Sequence, residues 1–377
     1  MTKPHVLLID DAPQSATLPD SIQAIPLDPE DANFGPDLEA ALVYADLILL
    51  DQNLHREQVL GLGALDGASF VGNLRSWARA KELTLPPVVI YTSEYEAFAD
   101  EIPTLGPAVP LEGSFIGKEA RIASALDVEW LIPKDENYSV GHIASLARDC
   151  LLLRADAADA RMNLQEISDF LAVPRDQAWS EIAVGQIAKW RPPINEAGNA
   201  PAGSRGVTPV LRWLLHQVLP CPGLLLSDLY AAWSLGIEPK SFSALYQSAN
   251  TRDWVQALRA TCYGGAAKDL VNRRWWAAGI DFIGWRLRER GYELGSFQHA
   301  LDELAGPGLM PLAAAESVVV VNVDLEEAGI AALEDAVQIY PPGWPTEAVD
   351  PWMRRDEVKA DPVAQTMIDL TELPVVE

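Results

Sequence analysis

The chain reads as an α/β doubly wound N-terminal domain followed by a mostly α-helical C-terminal domain with an irregular tail. Four short apolar runs in the first third each close on a polar residue. They are Val6–Ile9 before Asp10-Asp11, Leu47–Leu50 before Asp51, Val88–Tyr91 before Thr92, and Trp130–Ile132 before Pro133-Lys134. Continuous β-branched and aliphatic runs of this length mark parallel strands buried on both faces. Between them the apolar spacing turns helical, and past residue 156 helical spacing dominates.

Taken in order, the runs predict strands over 5–10, 46–51, 87–92 and 129–133, with a weaker one near 22–25. Helices fit 36–45, 67–82 and 139–155, the last through Ile143, Leu146, Cys150, Leu151 and Leu153. Two segments look inserted, 55–64 and 95–118, the second carrying Pro103, Pro107, Pro110, Gly106 and Gly113. Both are expected as loops at the functional rim. Residues 163–190 suggest two helices joined at Val173-Pro174-Arg175, and 191–209 a linker rich in Pro, Gly, Asn and Ala. Helices resume at 209–218, 226–235, 252–262, 266–290 and 296–305. After Gly306-Pro307-Gly308 the run Val318–Val323 reads as a strand, and the tail from Tyr340 as irregular and acidic. The expected domains are 1–155, 156–310 and 311–377.

The 377 residues carry a net charge of −26, with acidic residues outnumbering basic ones in both halves. Nucleic-acid binding rests on neutralising phosphates, so this charge argues against it and makes another protein the expected partner. No apolar stretch reaches membrane-spanning length, and the N-terminus lacks the basic-then-apolar form of a signal peptide. Cys150, Cys221 and Cys262 are odd in number, far apart and without metal-ligand spacing, which predicts reduced thiols in a cytoplasmic protein.

In open α/β sheets ligands sit at the carboxyl ends of the strands. The predicted strands therefore deliver acids, a hydroxyl and a lysine to one rim, a pattern suited to phosphate and a divalent metal. Ile9-Asp10-Asp11, Leu50-Asp51-Gln52-Asn53-Leu54, Leu65-Asp66-Gly67, Tyr91-Thr92-Ser93 and Ile132-Pro133-Lys134 occur in that order. Over about the first 155 residues this series resembles the response-regulator receiver domain of two-component signalling. The resemblance implies a flavodoxin-like fold in which Asp51 accepts a phosphoryl group from a histidine kinase. It further implies Mg²⁺ held by Asp10, Asp11, Asp51 and the main-chain carbonyl of Asn53, with Lys134 and the Thr92 hydroxyl engaging phosphoryl oxygens. Asn53 and Glu94, each two residues past a site residue, resemble the pair that orients a hydrolytic water in fast-cycling receivers. The sequence departs from the family in its longer spacings from Asp51 to Thr92 and from Thr92 to Lys134, and in having Pro133 before rather than after the lysine; Lys118 is the alternative lysine.

The second half offers less chemistry. Residues 271–290 form the one basic, aromatic-rich stretch; Trp276, Ile280, Ile283 and Leu287 share a helical face, so a core helix with a solvated arginine face is expected. Residues 164–182 have a faint helix-turn-helix pattern, but Glu166, Asp169, Asp176 and Glu181 suit DNA poorly. The histidines are scattered, with no metal cluster or nucleophile–base pair. The leading expectation is a phosphoacceptor acting through protein–protein contacts with a second regulator or effector, or as a phosphate sink; a homodimer is compatible with it. An inactive-receiver adaptor and an acidic transcription regulator stay open as alternatives.

Overall fold

The computed structural model describes residues 2–13, 18–54, 66–93, 116–134, 139–156, 162–194, 208–313 and 316–369. Contacts divide the chain into two compact units. One contains residues within 1–104, 118–167 and 192–217, the other 168–191 and 218–377.

The first unit is built on five parallel strands: β1 (His5–Ile9), β2 (Gln23–Leu27), β3 (Leu47–Asp51), β4 (Val88–Thr92) and β5 (Trp130–Pro133). Their order is β2-β1-β3-β4-β5, with Ile9 beside Leu50, Asp51 beside Tyr91 and Thr92 beside Pro133. The four apolar runs become strands because their side chains are covered on both faces. Leu7, Ile9, Ile48, Leu50 and Ile90 pack into one core with α1 (Phe34–Leu42) and α2 (Gly67–Ala80), through Leu38, Phe70 and Leu74. Helices α3 (Ile116–Ala125) and α4 (Ser139–Asp156) complete the alternation, α4 burying Ile143, Leu146 and Cys150. Each fully buried aliphatic side chain contributes about 1.5–3 kcal/mol. The weak strand expected near 22–25 is β2, shifted toward Leu27. The proposed insertion 55–64 lies outside the described residues, as does 95–118 up to residue 115, where α3 follows instead of a loop.

A further segment belongs to this unit. Helix α7 (Thr208–Trp213) and the π-helical turn Leu214–Val218 bury Val210, Leu211, Leu214 and Leu215. Between the sequence positions of α4 and α7 lie α5 (Leu164–Phe170) and α6 (Ser180–Lys189), the pair expected around Val173-Pro174-Arg175. The Arg212 guanidinium donates through Nε to Glu129 Oε1 at 2.6 Å and through Nη2 to the Asp127 carbonyl at 2.7 Å, and it also pairs with the Asp127 carboxylate. His216 Nε2 lies 3.0 Å from the Glu129 carbonyl, so its neutral ring carries the proton on Nε2. Burial pushes His216 down to about 4, aided by the charge of Arg212 and opposed by the main-chain bond. The unfolded chain therefore takes up a proton near 6.5 that the folded chain refuses until about 4, and stability is lost as pH falls through that window. Between pH 7 and pH 5 the loss is about 2 kcal/mol. Denaturant unfolding at the two pH values should show a smaller loss in His216→Gln; an equal loss would assign the acid sensitivity elsewhere.

The second unit is helical and carries two small sheets. Helices α8 (Asp228–Leu235), α9 (Pro239–Gln247), α10 (Asp253–Arg259), α11 (Ala277–Leu294) and α12 (Phe297–Leu304) enclose a core containing Tyr230, Phe242, Trp254, Trp275, Ile280 and Leu287. The helix expected over 266–290 begins only at Ala277, and α9 was not anticipated. Before α11, Trp275-Trp276 form strand β7, paired antiparallel with β6 (Leu225–Leu226). As expected, Trp276, Ile280, Ile283 and Leu287 are buried, but so is Arg274, which donates to the Leu219 carbonyl at 3.2 Å. The tail from Tyr340 is irregular only as far as residue 351, after which a short strand and two short helices follow. Strands β8 (Ser317–Val321), β9 (Glu327–Ala332), β10 (Ala336–Gln338) and β11 (Trp352–Arg354) form a sheet in the order β10-β11-β8-β9. Helices α13 (Arg355–Ala360) and α14 (Pro362–Gln365) follow, and Val321, Val337, Ile339, Met353, Val358 and Met367 share a core. The strand expected over 318–323 is β8, while short strands broken by Gly329 and the prolines at 341, 342 and 345 hide its partners from a periodicity reading. The three cysteines are free thiols, and no described helix is long and apolar enough to cross a membrane.

Candidate functional site

Parallel strands place every carboxyl end on one side of the sheet. The connections on either side of the β1–β3 pair leave toward opposite edges of the sheet, which makes this pair the switch point where open sheets hold ligands. Asp10 follows β1 and Asp51 ends β3. Both are buried. Asp10 Oδ1 accepts the Ala12 N–H at 2.8 Å, which fixes the turn that carries Asp11. One carboxylate oxygen from each of Asp10, Asp11 and Asp51 lies within 4.8 Å of the others.

Lys134, just past β5, closes the cluster. Its N–H donates to the Thr92 carbonyl at 2.7 Å, tying the exit of β5 to the end of β4. Its Nζ lies 2.8 Å from Asp10 Oδ2 and 3.0 Å from Asp51 Oδ2, and 5.4 Å from the centre of the Tyr91 ring. Burial pushes the Asp51 carboxyl above the usual carboxylate range, and the nearby Asp10 charge adds to this. The hydrogen bond and charge of Lys134 offset part of the shift, as does the Asn53 main-chain N–H directed at the same group. Lys134 is itself pushed up: burial works against its charge, but hydrogen bonds to Asp10 and Asp51 outweigh it. A lysine shared by two carboxylates is short of one positive charge, and with Asp11 short of two.

One atom of this site has nothing to hold. Asp51 Oδ1 is buried and has no hydrogen-bond partner among the described residues. A buried carboxylate oxygen in that state costs the desolvation of the group unless something meets it. Three clustered carboxylates, all hard oxygen donors, fit a hard divalent cation, so this cluster could bind a metal ion.

The turn after Asp51 is fixed from outside. The Gln52 carbonyl accepts the Gly67 N–H at 2.8 Å, and Gln52 Oε1 accepts the Ala68 N–H at 3.1 Å. A Cβ on Gly67 would fall 2.2 Å from the Asp51 carbonyl oxygen, so only glycine lets α2 approach this closely. Asp66 caps the helix, accepting the Ser69 N–H at 2.6 Å.

Of the expected site residues, Asp10, Asp11, Asp51 and Lys134 come together, and Asn53 follows with its main-chain N–H directed at the Asp51 carboxyl. Thr92 is fully buried at the end of β4, the strand between those that carry Asp51 and Lys134. Glu94 lies outside the described residues; Lys118 sits in the first turns of α3. Sequence reading missed the contributions of Gln52, Gly67 and Tyr91. For Gly67 a signal exists: Asp-Gly at a helix start marks a cap followed by a close approach. For Tyr91, an aromatic inside a buried strand reads only as core. No protein-family model, curated protein or solved structure matches this chain.

Proposed function

We propose that the first unit is a phosphoacceptor of the response-regulator receiver type, and that Asp51 takes a phosphoryl group from the phosphohistidine of a histidine kinase. The observation that carries this is the buried Asp51 carboxylate, with Oδ1 unpartnered beside Lys134, Asp10 and Asp11. The strand order is also that of flavodoxin-like folds, whose ligands sit at the β1/β3 switch point.

In the transfer, a carboxylate oxygen of Asp51 forms a bond to phosphorus as the phosphorus–nitrogen bond breaks, and the electron pair leaves with the imidazole. Lys134 exchanges its bond to Asp51 for a phosphoryl oxygen, and the Thr92 hydroxyl donates to another. Asp10, Asp11, Asp51 and the Asn53 carbonyl would hold Mg²⁺, which supplies charge neutralisation for the transferring group. Asn53 and Glu94 direct a water at the phosphoryl group, so the phospho-form is short-lived. The product signals in the cytoplasm through contact with an effector protein, or the unit drains phosphoryl groups from a kinase shared with another regulator.

Incubation with Mg²⁺ and acetyl phosphate, beside Asp51→Asn, tests the reading by intact mass. Phosphoryl uptake that is absent in the variant and decays within minutes is the expected result. No uptake, together with no binding of beryllofluoride, would leave the inactive-adaptor alternative standing.

A further inference from the structure

The acid site is physically linked to the opposite end of the sheet by α2. At its start, the Gly67 and Ala68 amides bond to Gln52, directly behind Asp51. About 12 Å further along the axis, Arg75 pairs with the Asp127 carboxylate and lies 3.8 Å from Glu129 Oε1. These are the two carboxylates that Arg212 holds from the other side. Glu129 is 1% exposed and also accepts the Val88 N–H, so it cannot move away from its cations or exist without one. One acid pair, the buried Glu129 and the exposed Asp127, is therefore divided between an arginine on α2 and an arginine on α7.

We propose that this divided pair is the readout of the acid site, so that the state of Asp51 sets how firmly segment 208–217 is held. The inference rests on the phosphoacceptor reading. A phosphoryl group on Asp51 adds negative charge next to the amino terminus of α2, and the positive end of the helix dipole attracts it. Helix α2 is drawn toward the carboxyl end of the sheet, and Arg75, lower on the same rigid helix, withdraws from Asp127 and Glu129. Arg212 then holds both carboxylates alone, and α7 with the following turn is clamped. All the groups involved lie within one compact unit. The signal leaves at the amino-terminal end of β4 and β5, away from Lys134.

Hydrogen exchange of the 208–217 amides in the full chain, with Mg²⁺ and with or without beryllofluoride, tests this. Exchange is expected to slow by about fivefold or more, the lower end of allosteric coupling. In Arg75→Ala it should be slow already and no longer respond. By reciprocity that variant should bind beryllofluoride more tightly by the same factor. Arg75→Lys, which keeps the charge on the helix, should retain a weakened response. Beryllofluoride binding with unchanged exchange, or an unchanged response in Arg75→Ala, overturns the readout and leaves the phosphoacceptor reading intact. Failure to bind Mg²⁺ or beryllofluoride at all overturns both.

Discussion

Lys134→Ala is expected to abolish measurable phosphoryl transfer and to make the fold depend on divalent cation. Lys134 is the cation that holds both buried carboxylates, Asp10 at 2.8 Å and Asp51 at 3.0 Å. Removing a group that neutralises charge developing in a transition state costs on the order of a hundredfold or more in rate. It also leaves two buried acids facing each other, a loss of about 3 kcal/mol when a buried pair is broken. The pH dependence follows from Asp51. Its folded carboxyl already sits above the usual range, and loss of Lys134 removes the two largest influences holding it down. The folded variant therefore binds more protons than the unfolded chain between the ordinary carboxylate value of 3.8 and the raised one. Its stability rises as pH falls through that window, so the deficit is largest at neutral pH. Thermal melts at pH 8 and pH 5 should show the difference. Mg²⁺ should recover part of it at pH 8 by binding only the folded state. A variant as stable as the parent without Mg²⁺ would mean that the lysine does not balance these acids.

The second large effect is expected at the other end of the sheet. Arg212→Met should cost about 3 kcal/mol, because it leaves Glu129 buried with only Arg75 nearby. Combining it with Glu129→Gln should recover much of the loss, since a buried pair replaced at both positions is often close to neutral. Denaturant unfolding of the two single variants and the double variant gives the coupling directly. Additive losses would show that Arg212 stabilises by packing its stem rather than by pairing with Glu129.

How much of this was legible depends on how far each feature reaches along the chain. The strands could be located because a fully buried parallel strand is an uninterrupted apolar run, and Asp10, Asp51, Thr92 and Lys134 each sit where such a run stops. The acid site was legible for the same reason: it is made of strand ends, and strand ends have a local mark. The Arg75–Asp127–Glu129–Arg212 network has none. Its members lie in a helix, a turn, a strand entrance and a segment beyond a linker, and a charged residue that pairs at a distance resembles a solvated one. Trp275-Trp276 illustrates a different failure. Their apolar character continues smoothly into the helical face of α11, so periodicity alone extends the helix backward. The preceding Gly264-Gly265 and Asn272 are the breaks that argued otherwise. In the last sheet β8 was legible as the β-branched run Val318–Val323, but its partners were missed because they are three to six residues long, too short for alternation to show.

The place of segment 208–217 bears on how this protein can be divided. A cut after α4 follows the pattern of strands and helices, but it would strip Val210, Leu211, Leu214 and Leu215 from the unit they help to complete, and Arg212 from Glu129. The fragment would present apolar surface to water and carry a buried acid with half its counter-charge, a combination that favours aggregation. The acid-site half is thus sewn from two stretches of chain with other structure between them. A scissor made at the linker would serve only if a peptide spanning 208–217 were supplied separately to take its place.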